Sequence, residues 1–133
     1  MAHREPVGAA PQQCDQVRLH VFTGGPDEVR AQIAAAGVGD VMVAHPELSY
    51  LATLNLATRM DVLLLTDART AGRHARNPYL PTQWADFAGS GTDMWTIVEP
   101  GSALARKKAR YQSPLGDVAA MRTQLAAMIE DHR

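Results

Sequence analysis

The run Val62-Leu63-Leu64-Leu65, bracketed by Asp61 and Asp67, constrains the fold of this chain more than any other stretch. Four apolar residues in succession offer water no polar side, so a strand built from them is expected to be covered on both faces and to sit centrally in a sheet. Shorter extended runs accompany it. Val17 to Thr23 alternates apolar and polar residues, Val41-Met42-Val43-Ala44 is apolar throughout, and Met94-Trp95-Thr96-Ile97-Val98 precedes a last extended piece around Tyr111.

Segments of helical period lie between these runs. Gly24-Gly25-Pro26 turns the first strand into a helix that carries Val29 and Ile33 and stops at Gly37. Pro46-Glu47 opens a second helix with Leu48, Leu51 and Leu54 inside it. Ser113-Pro114 is the expected cap and first turn of a closing helix bearing Leu115, Val118, Met121, Leu125, Met128 and Ile129. Strands alternating with helices predict an α/β domain, an open, mostly parallel, Rossmann-like sheet of about five strands with helices on both faces. Ligands of such sheets gather beyond the carboxyl ends of the strands. The loops after Thr23, Ala44, Asp67 and Val98 therefore form the expected binding edge.

A chain of 133 residues suits one domain, here 17–133, and residues 1–16 lack either period and read as a mobile tail. The net charge of −1 gives no footing for nucleic acid. The single cysteine, Cys14, cannot close an internal disulfide, and no Cys/His pairs stand at zinc spacing, so neither a metal nor a cofactor is expected. His20 reads as an exposed or edge strand residue with no partner in view. No apolar run reaches the length of a membrane span, and a cytoplasmic location is the expectation.

One loop stands apart. Asn77-Pro78-Tyr79-Leu80-Pro81-Thr82-Gln83 runs straight into Trp84-Ala85-Asp86-Phe87-Ala88-Gly89-Ser90-Gly91. Pro78 and Pro81 restrict the backbone, Thr82 is placed to cap a helix, and Gly91 to end it in a left-handed conformation. Trp84, Phe87 and Ala88 would bury one side, leaving Thr82, Gln83 and Asp86 with the first-turn amides to meet a ligand. A helix start carries unpaired N–H groups and partial positive charge, which suits phosphate. The same spacing also fits a capped amphipathic helix with no ligand.

These residues together resemble the donor-binding segment of glycosyltransferases of the two-domain GT-B fold. The subgroup most similar carries an N-P-Y-L-P-S-K stretch followed by a helix with an acidic residue that ends in small residues and Gly. Asp61 to Asp67 looks like that family's D-V-L-L strand, Val98-Glu99-Pro100-Gly101-Ser102 like its next strand and glycine turn, and Ser113 to Val118 like the start of its closing helix. The resemblance covers roughly residues 17–130.

It implies a nucleotide-sugar donor as ligand. Asp86 would take the ribose hydroxyls, while the amides of Thr82, Gln83, Gly101 and Ser102 would face the diphosphate without a metal. Where the subgroup has Ser-Lys this chain has Thr82-Gln83, so the cation must come from elsewhere; Arg69, Arg73 and Arg76 are the candidates. The family's other acidic residue falls at Pro78. The family's first donor-domain strand and its acceptor domain have no counterpart here, so transfer would need a separate acceptor domain or subunit, and no catalytic residue is assigned.

Two functions follow from this reading. The first is the donor half of a glycosyltransferase, inactive in transfer alone. The second is a non-catalytic binding or interaction module that kept the fold and lost the chemistry, forming homo-oligomers through an open sheet edge. A receiver domain also alternates strands and helices at this length, but Thr23-Gly24-Gly25 and Glu99-Pro100-Gly101 lack its acidic pair and lysine. The basic run Arg106, Lys107, Lys108 and Arg110 reads as a solvated loop, with peripheral membrane contact as its functional alternative.

Overall fold

The computed structural model describes residues 17–68 and 80–133. Five strands, β1 (Leu19–Thr23), β2 (Met42–Pro46), β3 (Val62–Thr66), β4 (Asp93–Val98) and β5 (Tyr111–Pro114), alternate with helices α1 (Pro26–Ala36), α2 (Tyr50–Ala57), α3 (Trp84–Gly89) and α4 (Val118–Asp131). A short 3-10 turn, Leu104–Arg106, stands before β5. Every strand pairing is parallel. The result is the Rossmann-like α/β architecture that the alternating pattern predicts, with its five strands divided between two open sheets, β1-β2 and β3-β4-β5. The chain separates into two compact units, one up to Ala52 and one spanning Thr53–His132.

In the first unit, Leu19 to Thr23 lie opposite Met42 to Pro46 in register. The α1 helix starts with Pro26 in its first turn, where a missing N–H costs nothing. It buries Ile33 and ends at Gly37, whose neighbour Val38 donates to Ile33 O at 3.2 Å while Gly37 donates to Ala34 O at 3.1 Å. That pair of bonds satisfies the last carbonyls of the helix. Pro46 does not open α2; it ends β2, and Ser49 Oγ accepts from Ala52 N at 3.2 Å to cap the helix instead.

The second unit holds the larger core, built from Ala57, Leu63, Leu65, Met94, Val98 and Leu104. The strand expected to be central, β3, lies at one end of its sheet, and β4 takes the middle. In β3, only Leu63 and Leu65 are fully buried; Val62 and Leu64 on the other face keep partial exposure. The expected Ser113-Pro114 helix cap is corrected as well. Both residues belong to β5, with Pro114 opposite Val98, an end-strand place where a missing N–H is tolerated. Asp117 caps α4, its Oδ1 accepting from Ala120 N at 2.9 Å. Val118 is largely exposed, and Met128 and Ile129 supply the buried end of that helix.

The amino-terminal side of this sheet is tied to the carboxyl end of α4. The Tyr111 hydroxyl donates to Asp131 Oδ2 at 2.8 Å, and the Arg110 guanidinium sits between Asp93 at 2.7 Å and Asp131 at 3.3 Å. Burial, with the bond to Asp131, pushes the Tyr111 phenol up to about 12. The Asp93 contact, first as a hydrogen bond and then as a charge pair, raises the already basic Arg110 further.

Candidate functional site

Parallel pairing puts the carboxyl ends of β3 and β4 on one edge of the three-stranded sheet. Two acidic residues sit there out of water, Asp67 and Glu99, each less than a tenth exposed. Asp67 N donates to Ile97 O at 2.8 Å and its Oδ2 accepts from Glu99 N at 2.8 Å, so a side chain extends the strand pairing by one step. The carboxylate thereby fixes where the turn after β4 begins.

That turn carries Gly101 and Ser102. Gly101 has φ of +78° and is exposed, a conformation that a residue with a Cβ adopts at a cost. Its N–H has no hydrogen-bond acceptor among the described residues. Ser102 is different. It is fully buried, its N–H donates to Glu99 O at 3.0 Å, and its Oγ accepts from Ala105 N at 2.9 Å to start the 3-10 turn. Of the four amides expected to face a diphosphate, the one on Ser102 is spent on the turn itself.

Across the same unit, α3 packs Trp84 and Phe87 onto the core. Ala88, expected on that side, is exposed because the helix is only six residues long and ends before a second inward turn is built. Thr82 does not cap it. Trp84 N donates to Pro81 O at 3.0 Å, so a tight turn meets the first orphan N–H, and Gln83 flanks the helix with helical dihedrals and no side-chain cap. Thr82 and Gln83 are both exposed, and their N–H groups have no acceptor among the described residues. Asp86 follows in the first turn, partly exposed. Gly91 takes the expected left-handed conformation, with φ of +79°, and returns the chain to the amino end of β4. The start of α3 consequently faces the carboxyl side of the sheet. Arg69, Arg73 and Arg76 lie outside the described residues, as do Asn77, Pro78 and Tyr79.

A cation overlooked in the sequence reaches this corner. Lys107, from the run that reads as a solvated loop, holds its ammonium 4.5 Å from the centroid of the Trp84 ring, one residue from Gln83. The signal was present in the composition of the run, but spacing alone could not single out Lys107 among four neighbouring bases. Arg110 of the same run is committed to Asp93 and Asp131. The indole Nε1 of Trp84 is buried without an acceptor among the described residues. Trp84 and Phe87 from one segment and Ala105 and Ala109 from the other pack against the same core, which is how Lys107 comes to lie over the Trp84 ring.

Among the described residues no helix is long and apolar enough to cross a membrane. Compared with protein-family models, curated proteins and solved structures, the chain gives no match, and parallel α/β is the level at which its fold is classified.

Proposed function

We propose that the chain is the donor-binding half of a glycosyltransferase, holding a nucleoside diphosphate sugar at the carboxyl edge of the β3-β4-β5 sheet. Transfer requires an acceptor-binding domain or subunit. The observation that carries the reading is the exposed entry to α3, where the N–H groups of Thr82 and Gln83 have no acceptor among the described residues. The Gly101 amide, which has no acceptor among the described residues, supports it from the turn after β4. In this reading the diphosphate takes these donors, Lys107 supplies the cation that the subgroup has at the place of Gln83, and the Asp86 carboxylate accepts from the ribose hydroxyls. Arg69, Arg73 and Arg76 remain the further cationic candidates. Ser102 acts through the turn it holds and not through its amide.

The resemblance along residues 77–91, 98–102 and 113–118 supplies the choice of a nucleotide over another anion. Calorimetric titration with nucleoside diphosphates tests it. Binding in the wild type that weakens at least about tenfold, or roughly 1.4 kcal/mol, in Asp86→Ala supports the assignment. Affinity unchanged by that substitution removes the site. Absence of binding at millimolar ligand leaves the non-catalytic module as the reading.

A further inference from the structure

We propose that His20 and His45 form a two-histidine site for a divalent first-row transition-metal ion on the exposed face of the β1-β2 sheet. In the parallel register, His20 lies opposite Val43 and Phe22 opposite His45. Side chains alternate along a strand, so these four residues share one face. His20 Nδ1 and His45 Nε2 stand 2.9 Å apart, although 25 residues separate them in sequence. The partner that the sequence did not reveal for His20 is thus another imidazole.

The pair is held in place. Phe22 stacks on His45 with ring centroids 4.7 Å apart and planes at 17°, while the two imidazoles are 5.1 Å apart at 27°. His45 is confined between an aromatic ring and a second ligand, so little freedom is lost when an ion binds. His20 remains exposed and His45 partly exposed.

Between two neutral rings one nitrogen donates and the other accepts. When a metal enters, the donating ring moves its proton to its other nitrogen, and both rings then present a lone pair; no proton has to leave. An ion about 2.0–2.1 Å from each nitrogen subtends an angle of about 90° at this separation, nearer the cis angle of a tetragonal or octahedral ion than the tetrahedral angle of zinc. Among the described residues no group of three or more metal-ligating side chains forms, so the proposed site has two protein ligands from these residues.

The test is urea unfolding of the full chain with increasing nickel(II) chloride. An ion bound by the folded pair and not by the unfolded chain raises the midpoint, whereas histidines that bind it equally in both states contribute nothing. The expected result is a midpoint that climbs with nickel in the wild type and stays level in His20→Gln and in His45→Gln. Both substitutions lie at a solvent-facing site, and their metal-free midpoints check that the fold is kept. A wild-type midpoint insensitive to nickel, or an equal climb in either variant, overturns the proposal.

Discussion

Asp67 shows how a single buried carboxylate can extend the edge of a sheet. Its Oδ2 takes the Glu99 N–H and carries the β3-β4 pairing one residue past the strands. Asp67→Ala removes that acceptor and is expected to cost about 1–3 kcal/mol, measured as a lowered urea midpoint, with Asp67→Asn costing less because it keeps an acceptor oxygen. Tyr111 gives a pH signature. Its phenol is raised to about 12 in the fold against an ordinary value of about 10, so its contribution is complete below pH about 10 and is lost as pH rises toward 12. Wild type should exceed Tyr111→Phe by about 1–2 kcal/mol at neutral pH, and the gap should close through that alkaline window. Unfolding curves at several pH values decide it; a gap constant to pH 12 would contradict the assigned proton.

Among elements, strands were far more legible in the sequence than helix starts. The runs Val62–Leu65 and Met94–Val98 locate β3 and β4 because each strand buries every second residue, whereas a cap is a local competition that several residues can win. Ser113-Pro114 has the composition of a helix start, yet pairing with Val98 draws Pro114 into β5, and Asp117 three residues later takes the cap. Thr82 lost the same contest to the carbonyl of Pro81. Asp117→Ala is expected to lower stability by about 1 kcal/mol, against a change within about 0.5 kcal/mol for Thr82→Ala, in thermal or urea unfolding. Candidate ligand groups followed the same divide: Asp86 and Gly101 were visible by spacing, while Lys107 depended on a tertiary contact with Trp84 that no local pattern encodes. The His20–His45 pair is legible only once strand register is known.

At the scale of the molecule, the parallel pattern leaves each sheet with its strand ends gathered on one edge, and β3 contributes an end strand to the larger one. That arrangement explains why the run Val62 to Leu65 did not become a central strand: one buried face, Leu63 and Leu65, is enough to place it. The proposed function turns on three backbone donors, those of Thr82, Gln83 and Gly101, meeting a diphosphate beside the turn that Asp67 and Ser102 hold in shape. Amide-resolved NMR titration of the chain with a nucleoside diphosphate tests this most directly. The expected result is saturable shifts of the Thr82, Gln83 and Gly101 amides with a much smaller change at the buried Ser102 amide; saturable binding that leaves those three amides unmoved would contradict it.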